Sequence, residues 1–482
     1  MKNSKLILLL SKLSPKELNR LREFVDADFF NQHKGLKRLC NYLLDQAPEF
    51  SEEVLQREKV YAQVEPGTGY NDDRLNNLLS DLLQLVYAFF THLELEKRPD
   101  LQGQMLTDRL LELNLPKHLR HQVRRQEQLL DRRQDRSFDY FNAGYHLHQH
   151  LDRFELGQQN RRFSRHLQQE SDHIDRYFLI QKFRLACEMS SRNSVIRASY
   201  HCDFMAELVN IYEERKYLQQ IPALQTYYCA WRMLEQRSDA THFYELKQLL
   251  QKHHPLFPLA EQRLLYNYAL NFCISRINSG ESEYYRETLD LYQSMLDSRI
   301  IFVRGILSQW AYKNIITTGI RLQDFTWTEN FIHQYKEYLP LEERPNAVAY
   351  NLAALYYARS DYKNALLQLQ DVEFTDASYH TGAKIIQLKS YYELDESEAF
   401  YSLIEAFKKY LSRNRQLSDY RKKANMNFLR LARQIYQFKN EYHLMHKNEW
   451  LEKHKKLNLQ VETIDPIANK EWLKRVLGLF VG

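Results

Sequence analysis

The chain reads as all-α, an N-terminal helical unit followed by an α-solenoid of helical hairpins, and three observations carry that reading. Gly and Pro number only 12 and 11 among 482 residues, too few to turn the many corners of an all-β fold. Strong helix formers dominate, and no Val/Ile/Thr-rich run alternates with period two for long enough to make a strand. The stretch 347–406 also matches itself when shifted by about 34 residues, the period of helical-hairpin repeats. That shift superposes Ala349 on Ala383, Leu352 on Ile386, Tyr357 on Tyr391, Asp361 on Asp395 and Ala365 on Ala399. Such a unit buries its apolar face only against a neighbour, so the hairpins are expected to stack.

The length exceeds what one ordinary core can serve. Three segments are expected: a helical domain over 1–98, a helical middle region over 105–218, and a hairpin array over 219–482 with a capping helix at its end. The net charge of +5 comes from 67 basic and 62 acidic residues. Such balance describes solvated helix faces and argues against a nucleic-acid footprint. Cys40, Cys187, Cys202, Cys229 and Cys273 are odd in number and form no Cys-x-x-Cys pair. They fit small core residues of a reducing compartment, and neither a disulfide framework nor a zinc site is expected. Leu6 to Leu10 is too short for a membrane span and lacks a cleavage site. The expected location is the cytoplasm.

Taken in order, Ser14-Pro15-Lys16-Glu17 starts a helix as a capping box, with Pro15 where no amide bond is lost. Further helices are expected over 36–44 and 52–64. Pro66-Gly67 breaks the chain, and Asn71 or Asp72 caps a long amphipathic helix through Leu75, Leu78, Leu82 and Val86. Arg98-Pro99-Asp100 to Gly103 is the best candidate boundary. Lys117 to Arg136 holds seven basic and three acidic residues. An anionic partner could bind there, but pairs such as Arg124 with Glu127 and Arg132 with Asp135 make a solvated face the better reading. Two helices are expected over 165–216, separated at Ser190 to Asn193. Hairpins then follow over 222–252, 259–296, 302–338 and 347–406. A helix over 417–438 and a last one over 470–479, with Trp472, Leu473, Val476 and Leu477 on one face, complete the chain.

The residues at 348–376 resemble a tetratricopeptide repeat. The family's Leu-small pair, aromatic, turn and small residue are matched by Leu352-Ala353, Tyr356, Ser360-Asp361-Tyr362 and Ala365, followed by Leu369 and Val372. The next repeat departs from the pattern, with Gln387 and Ser390 where Ala353 and Tyr356 would stand, and without the final Pro. The match is specific over about 347–406 and degenerate back to about 220. The whole chain is also similar to large helical bacterial proteins that end in such repeats. A second stretch, 58–86, resembles the helix–turn–helix half of a winged-helix regulator. That likeness implies a DNA-binding N-terminal unit with a solenoid sensor, yet Asp72, Asp73 and Asp81 would repel a phosphate backbone.

Catalytic motifs are missing: there is no Gly-x-Ser-x-Gly, no phosphate loop and no calcium loop. His146 and His150 share a helix face without a third ligand, and Glu170-x-x-His173 occurs once where a di-iron bundle needs it twice. No catalytic residue, metal or cofactor is therefore expected, although an enzyme without a recognisable motif stays as an alternative. The 33 Tyr and 25 Phe suit packing between helices. What the tetratricopeptide resemblance implies is a non-enzymatic scaffold that binds a protein or peptide on its concave face. It nominates Lys313, Asn314, Tyr350, Asn351, Tyr357, Lys384 and Tyr391 as groove residues, whose donors and rings would suit an extended peptide with an acidic end.

Overall fold

The structure is a computed structural model and describes residues 1–157, 163–196, 199–370 and 376–480. Among these the protein is all-α, with 23 α-helices and no strand. It divides into two compact units, Met1–Ile180 and Gln181–Gly482.

The first unit holds α1 (Lys5–Leu10), α2 (Pro15–Asp26), α3 (Lys34–Leu44), α4 (Arg57–Val64), α5 (Asp72–Glu96), α6 (Pro99–Glu112), α7 (Pro116–Arg132), α8 (Phe138–Gly157) and the first half of α9 (Arg165–Ile196). Its main core is built by one face each of α2 to α5, with Leu21, Val25, Leu39, Leu43, Val60, Leu75 and Val86 buried. The capping box forms at α2, where the Glu17 amide donates to the Ser14 hydroxyl oxygen and the Ser14 amide donates to the Glu17 carboxylate. Asn71 is the cap of α5, accepting from the Arg74 amide. By length and composition α5 could cross a membrane, but Leu75, Leu78, Leu82, Val86 and Phe89 are buried within the unit and Asp81 is exposed. That pattern is the stripe of an amphipathic helix with one face in a core.

The second unit holds the rest of α9 and then α10 (Met205–Glu214), α11 (Pro222–Glu235), α12 (Thr241–His253), α13 (Leu259–Asn278), α14 (Tyr284–Asp297), α15 (Gln309–Arg321) and α16 (Phe325–Tyr335). It continues with α17 (Arg344–Ala358), α18 (Tyr362–Leu367), α19 (Ala377–Glu393), α20 (Ser397–Arg413), α21 (Asp419–Glu441), α22 (Lys447–Thr463) and α23 (Lys470–Gly478). Five consecutive pairs pack helix on helix: α11 with α12, α13 with α14, α15 with α16, α17 with α18, and α19 with α20. First helices also touch first helices, α15 on α17 and α17 on α19. Ala353 and Ala365 are fully buried where α17 and α18 pack, leaving no room for a larger side chain.

One turn recurs at the ends of first helices. After α15, Gln323 takes a positive φ of 58°, its amide donates to the Ile320 carbonyl, and the Asp324 amide reaches back to the Gly319 carbonyl. Ser360 and Asp361 repeat these bonds onto Tyr357 and Tyr356 after α17, and Gly280 and Glu281 repeat them after α13. Asp395 and Glu396 do so after α19, onto Tyr392 and Tyr391. This is the Schellman arrangement, which satisfies carbonyls that a helix end leaves open. Asp324 and Asp361 then cap the second helix, accepting from the amides of Trp327 and Asn364.

Several expectations change. α9 runs unbroken through Ser190 to Asn193, because Phe183 and Cys187 anchor it and Glu188 pairs with Arg192 one turn on. Arg98 to Gly103 is no linker: Pro99 opens α6 directly, and Gly103 is buried where an added Cβ would strike Gln126. Residues 302–308 form a turn around Gly305 instead of a helix start, and α4 begins at Arg57 instead of Glu52. Just after α7, Asp135 pairs with Arg133 instead of Arg132. Helix α22 has no counterpart in the sequence reading. Val372 lies outside the described residues.

Candidate functional site

The nominated residues sit on α15, α17 and α19, and three of them, Lys313, Tyr350 and Tyr357, belong to two side-chain clusters. Around Lys313, three aromatic rings close in, because Trp310 lies one turn before it on α15 while α17 and α19 supply Tyr350 and Tyr379. The Lys313 ammonium is 4.7 Å from the Tyr350 ring centroid, 5.0 Å from Tyr379 and 6.0 Å from Trp310. Trp310 stacks on Tyr379, and Tyr350 meets Tyr379 edge-on at 5.0 Å. The Tyr379 hydroxyl donates to the Gln309 carbonyl, which fixes its ring. Opposite Tyr350 stands Gly382, where a Cβ would come within 2.7 Å of the ring. Burial lowers the Lys313 pKa, and the ring faces compensate by attracting the cation.

The second cluster joins α17 and α19 to α23. Lys389 donates to the Asn469 side-chain oxygen at 2.6 Å and lies 5.7 Å from the Trp472 ring. Its pKa is lowered to about 7, by burial first and then by the neighbouring Arg475 and Arg321. Arg475 in turn donates to the Glu393 carboxylate and to the Tyr357 hydroxyl. Two or three basic groups thus face a single carboxylate, an arrangement that favours an added anion.

The other nominated residues lie outside these two clusters. Asn351 is 1% exposed and its amide donates to the Ala347 carbonyl, so it is part of the interior of α17. Lys384 donates to Gln387 along its own helix. Asn314 is exposed. Tyr391 is half-buried against the C-terminal core, and its carbonyl takes the turn bond that Tyr356 takes in the preceding hairpin. The turn therefore equates Tyr391 with Tyr356 rather than with Tyr357. One residue has been gained within α19 relative to the sequence match, and that turns its last part by about 100°.

Reading the sequence missed Trp310, Tyr379, Lys389 and Arg475. Trp310 had a local signal, three residues before Lys313 on one face. Arg475 had none, since its partner Tyr357 is 118 residues away.

Elsewhere, in the first unit, the alternating histidines part company. His150 is buried against Asp108 at 2.9 Å, while His148 Nδ1 lies 3.3 Å from His166 Nδ1 and its ring stacks on His173. Burial holds His148 and His173 at about 4, so both are neutral near pH 7. The Pro66-Gly67 turn does join two helices, but the described residues contain no β-hairpin that could serve as the wing of a winged-helix domain.

These features define a large all-helical protein built from consecutive packed helix pairs. No protein-family model, no curated protein and no solved structure matches the chain.

Proposed function

We propose that the protein is a non-enzymatic interaction scaffold whose C-terminal hairpins form a tetratricopeptide-like solenoid, with a peptide or protein bound on the face lined by α15, α17 and α19. The observation that carries this reading is the packing of first helix on first helix, α15 to α17 to α19, with the same Schellman turn ending each. Such a stack offers side chains at fixed spacing from rigid elements, which suits an extended ligand. The aromatic enclosure of Lys313 and the basic cluster at Lys389 and Arg475 favour a ligand with acidic and apolar groups. Five free thiols, four of them buried, support a reducing, cytoplasmic setting. A DNA-binding N-terminal unit has less support, since Arg57, a basic group beside the start of α5, is engaged by Asp72 and is not left for a phosphate.

Site-specific photocrosslinking tests the assignment. A photoreactive residue at Asn314 or Tyr357 should give one discrete adduct in the native host, and the same residue at exposed Ser402 on α20 should not. An adduct from Ser402 alone would place the partner on another face.

A further inference from the structure

Away from that face, α11 and α12 bring Cys229, His242 and Glu245 together. His242 and Glu245 stand three residues apart near the start of α12, so both side chains leave the helix on one side. Cys229 meets them from α11, which packs on α12. Glu245 Oε2 lies 3.0 Å from His242 Nδ1 and 3.6 Å from Cys229 Sγ. Donor atoms of all three lie within 4.8 Å of one another.

These separations can be compared with the edges of a metal tetrahedron. Zinc bonds of about 2.3 Å to sulfur and about 2.0–2.1 Å to nitrogen and oxygen give edges of about 3.6 Å for sulfur–oxygen and about 3.3 Å for nitrogen–oxygen. Both observed distances fall within a few tenths of an ångström of those values. A cavity of about 330 Å³ opens beside Cys229 and Glu245, walled further by Tyr212, Gln225, Tyr228 and Gln248. Three protein ligands with a cavity beside two of them fit an open site rather than a closed structural one.

We propose that Cys229, His242 and Glu245 bind one zinc ion through the thiolate sulfur, Nδ1 and Oε2, leaving the fourth position open to that cavity for water or a small anionic ligand. The thiol now donates to the His242 carbonyl at 3.1 Å. Burial, and then the Glu245 carboxylate, push its pKa up, so it is held protonated while the site lacks a cation. A dication reverses that balance. The S–H bond breaks, the zinc–sulfur bond forms, and the proton leaves to solvent. The thiolate and the carboxylate together neutralise the ion's charge, as a site within a helix pair requires.

The test uses the full chain, stripped with a chelator and titrated with Zn²⁺ alone against a chromophoric indicator. One equivalent should bind. Co²⁺ in its place should give a near-ultraviolet thiolate-to-cobalt band. Glu245 is exposed and His242 half-buried, so Glu245→Gln and His242→Gln leave the core intact. Each should weaken binding by at least the roughly 10–100-fold that outer-shell changes alone produce. Cys229→Ser should abolish the cobalt band, whereas Cys273→Ser, at a buried thiol outside the cluster, should leave it unchanged. Failure to bind one equivalent, a cobalt spectrum without the thiolate band, or undiminished binding by both Gln variants would each overturn the proposal.

Discussion

The Arg475 guanidinium donates to the Tyr357 hydroxyl at 3.3 Å and to the Glu393 carboxylate at 2.5 Å, tying α23 to α17 and α19. Beside it Trp472, 7% exposed, packs edge-on against Tyr392 and Phe428. The two side chains hold the last helix by different means, and magnitudes separate them. Trp472→Ala removes a buried ring and should cost about 3–5 kcal/mol. Arg475→Ala removes a half-exposed pair and should cost about 1 kcal/mol or less. Urea unfolding of the full chain compares the two; equal costs would mean that α23 is not held by its apolar face.

Lys313 offers a test of the aromatic enclosure. A cation there is attracted by three ring faces, and a carboxylate would be repelled by the same faces and desolvated as well. Lys313→Met should change stability by less than about 1.5 kcal/mol, since the stem packing survives. Lys313→Glu should cost roughly 2–4 kcal/mol. Thermal melts of both variants check this, and equal losses would show that the charge sign is irrelevant at this position.

Lys389 makes stability depend on pH. Its folded pKa of about 7 lies below the unfolded value near 10.4. Between those values the folded state binds fewer protons than the unfolded one, so this group's contribution rises with pH, from its lowest below 7. Arg475, Arg321, Glu393, Asn469 and Trp472 are the groups that face it. Relative to Lys389→Met, the wild type should gain up to about 1.4 kcal/mol per pH unit between pH 7 and 8.5. A difference between the two that stays flat over that window would show Lys389 to be charged and solvated in the fold.

The crossing of α17 and α18 predicts an asymmetry of size. Ala353 and Ala365 are fully buried, and a Leu at either position would force the helices apart. Each Ala→Leu change should cost about 1–3 kcal/mol, whereas Leu367→Ala, at an exposed position on α18, should stay within about 0.5 kcal/mol. Denaturant midpoints decide between these values.

Much of the fold was legible because its signals are local. The Ser14 box, the Ser360-Asp361-Tyr362 turn, Pro222 at a helix start and the apolar face of 470–479 each act within one or two turns, and each forms as read. What could not be read depends on packing from elsewhere. Ser190 to Asn193 looks like a break, yet buried Phe183 and Cys187 carry α9 through it. Helix α22 buries only His454, Leu457 and Val461, a stripe too narrow to stand out from its polar residues. Self-matching at a constant shift placed Tyr391 over Tyr357, because one added residue in a helix is invisible until the turn after it is seen. The same limits governed the candidate site. Lys313, Tyr350 and Tyr357 could be nominated from the repeat, but the Arg475 that reaches Tyr357 comes from another part of the chain.

The recurring corner after each first helix has a thermal consequence. Among the hairpin ends at Gly280, Gln323, Ser360 and Asp395, a single glycine is used, and the other three residues adopt a left-handed backbone with a side chain attached. Each such residue gives up about 1–2 kcal/mol, while glycine would return about 0.4–1 kcal/mol of that as unfolded-chain freedom. Replacing Gln323 and Ser360 by glycine should therefore net roughly 0.5–1 kcal/mol apiece, and corners so far apart should act independently. The hairpin array is accordingly built below its own heat tolerance, with latent headroom at its bends that can be raised without altering any side chain on the α15–α17–α19 face.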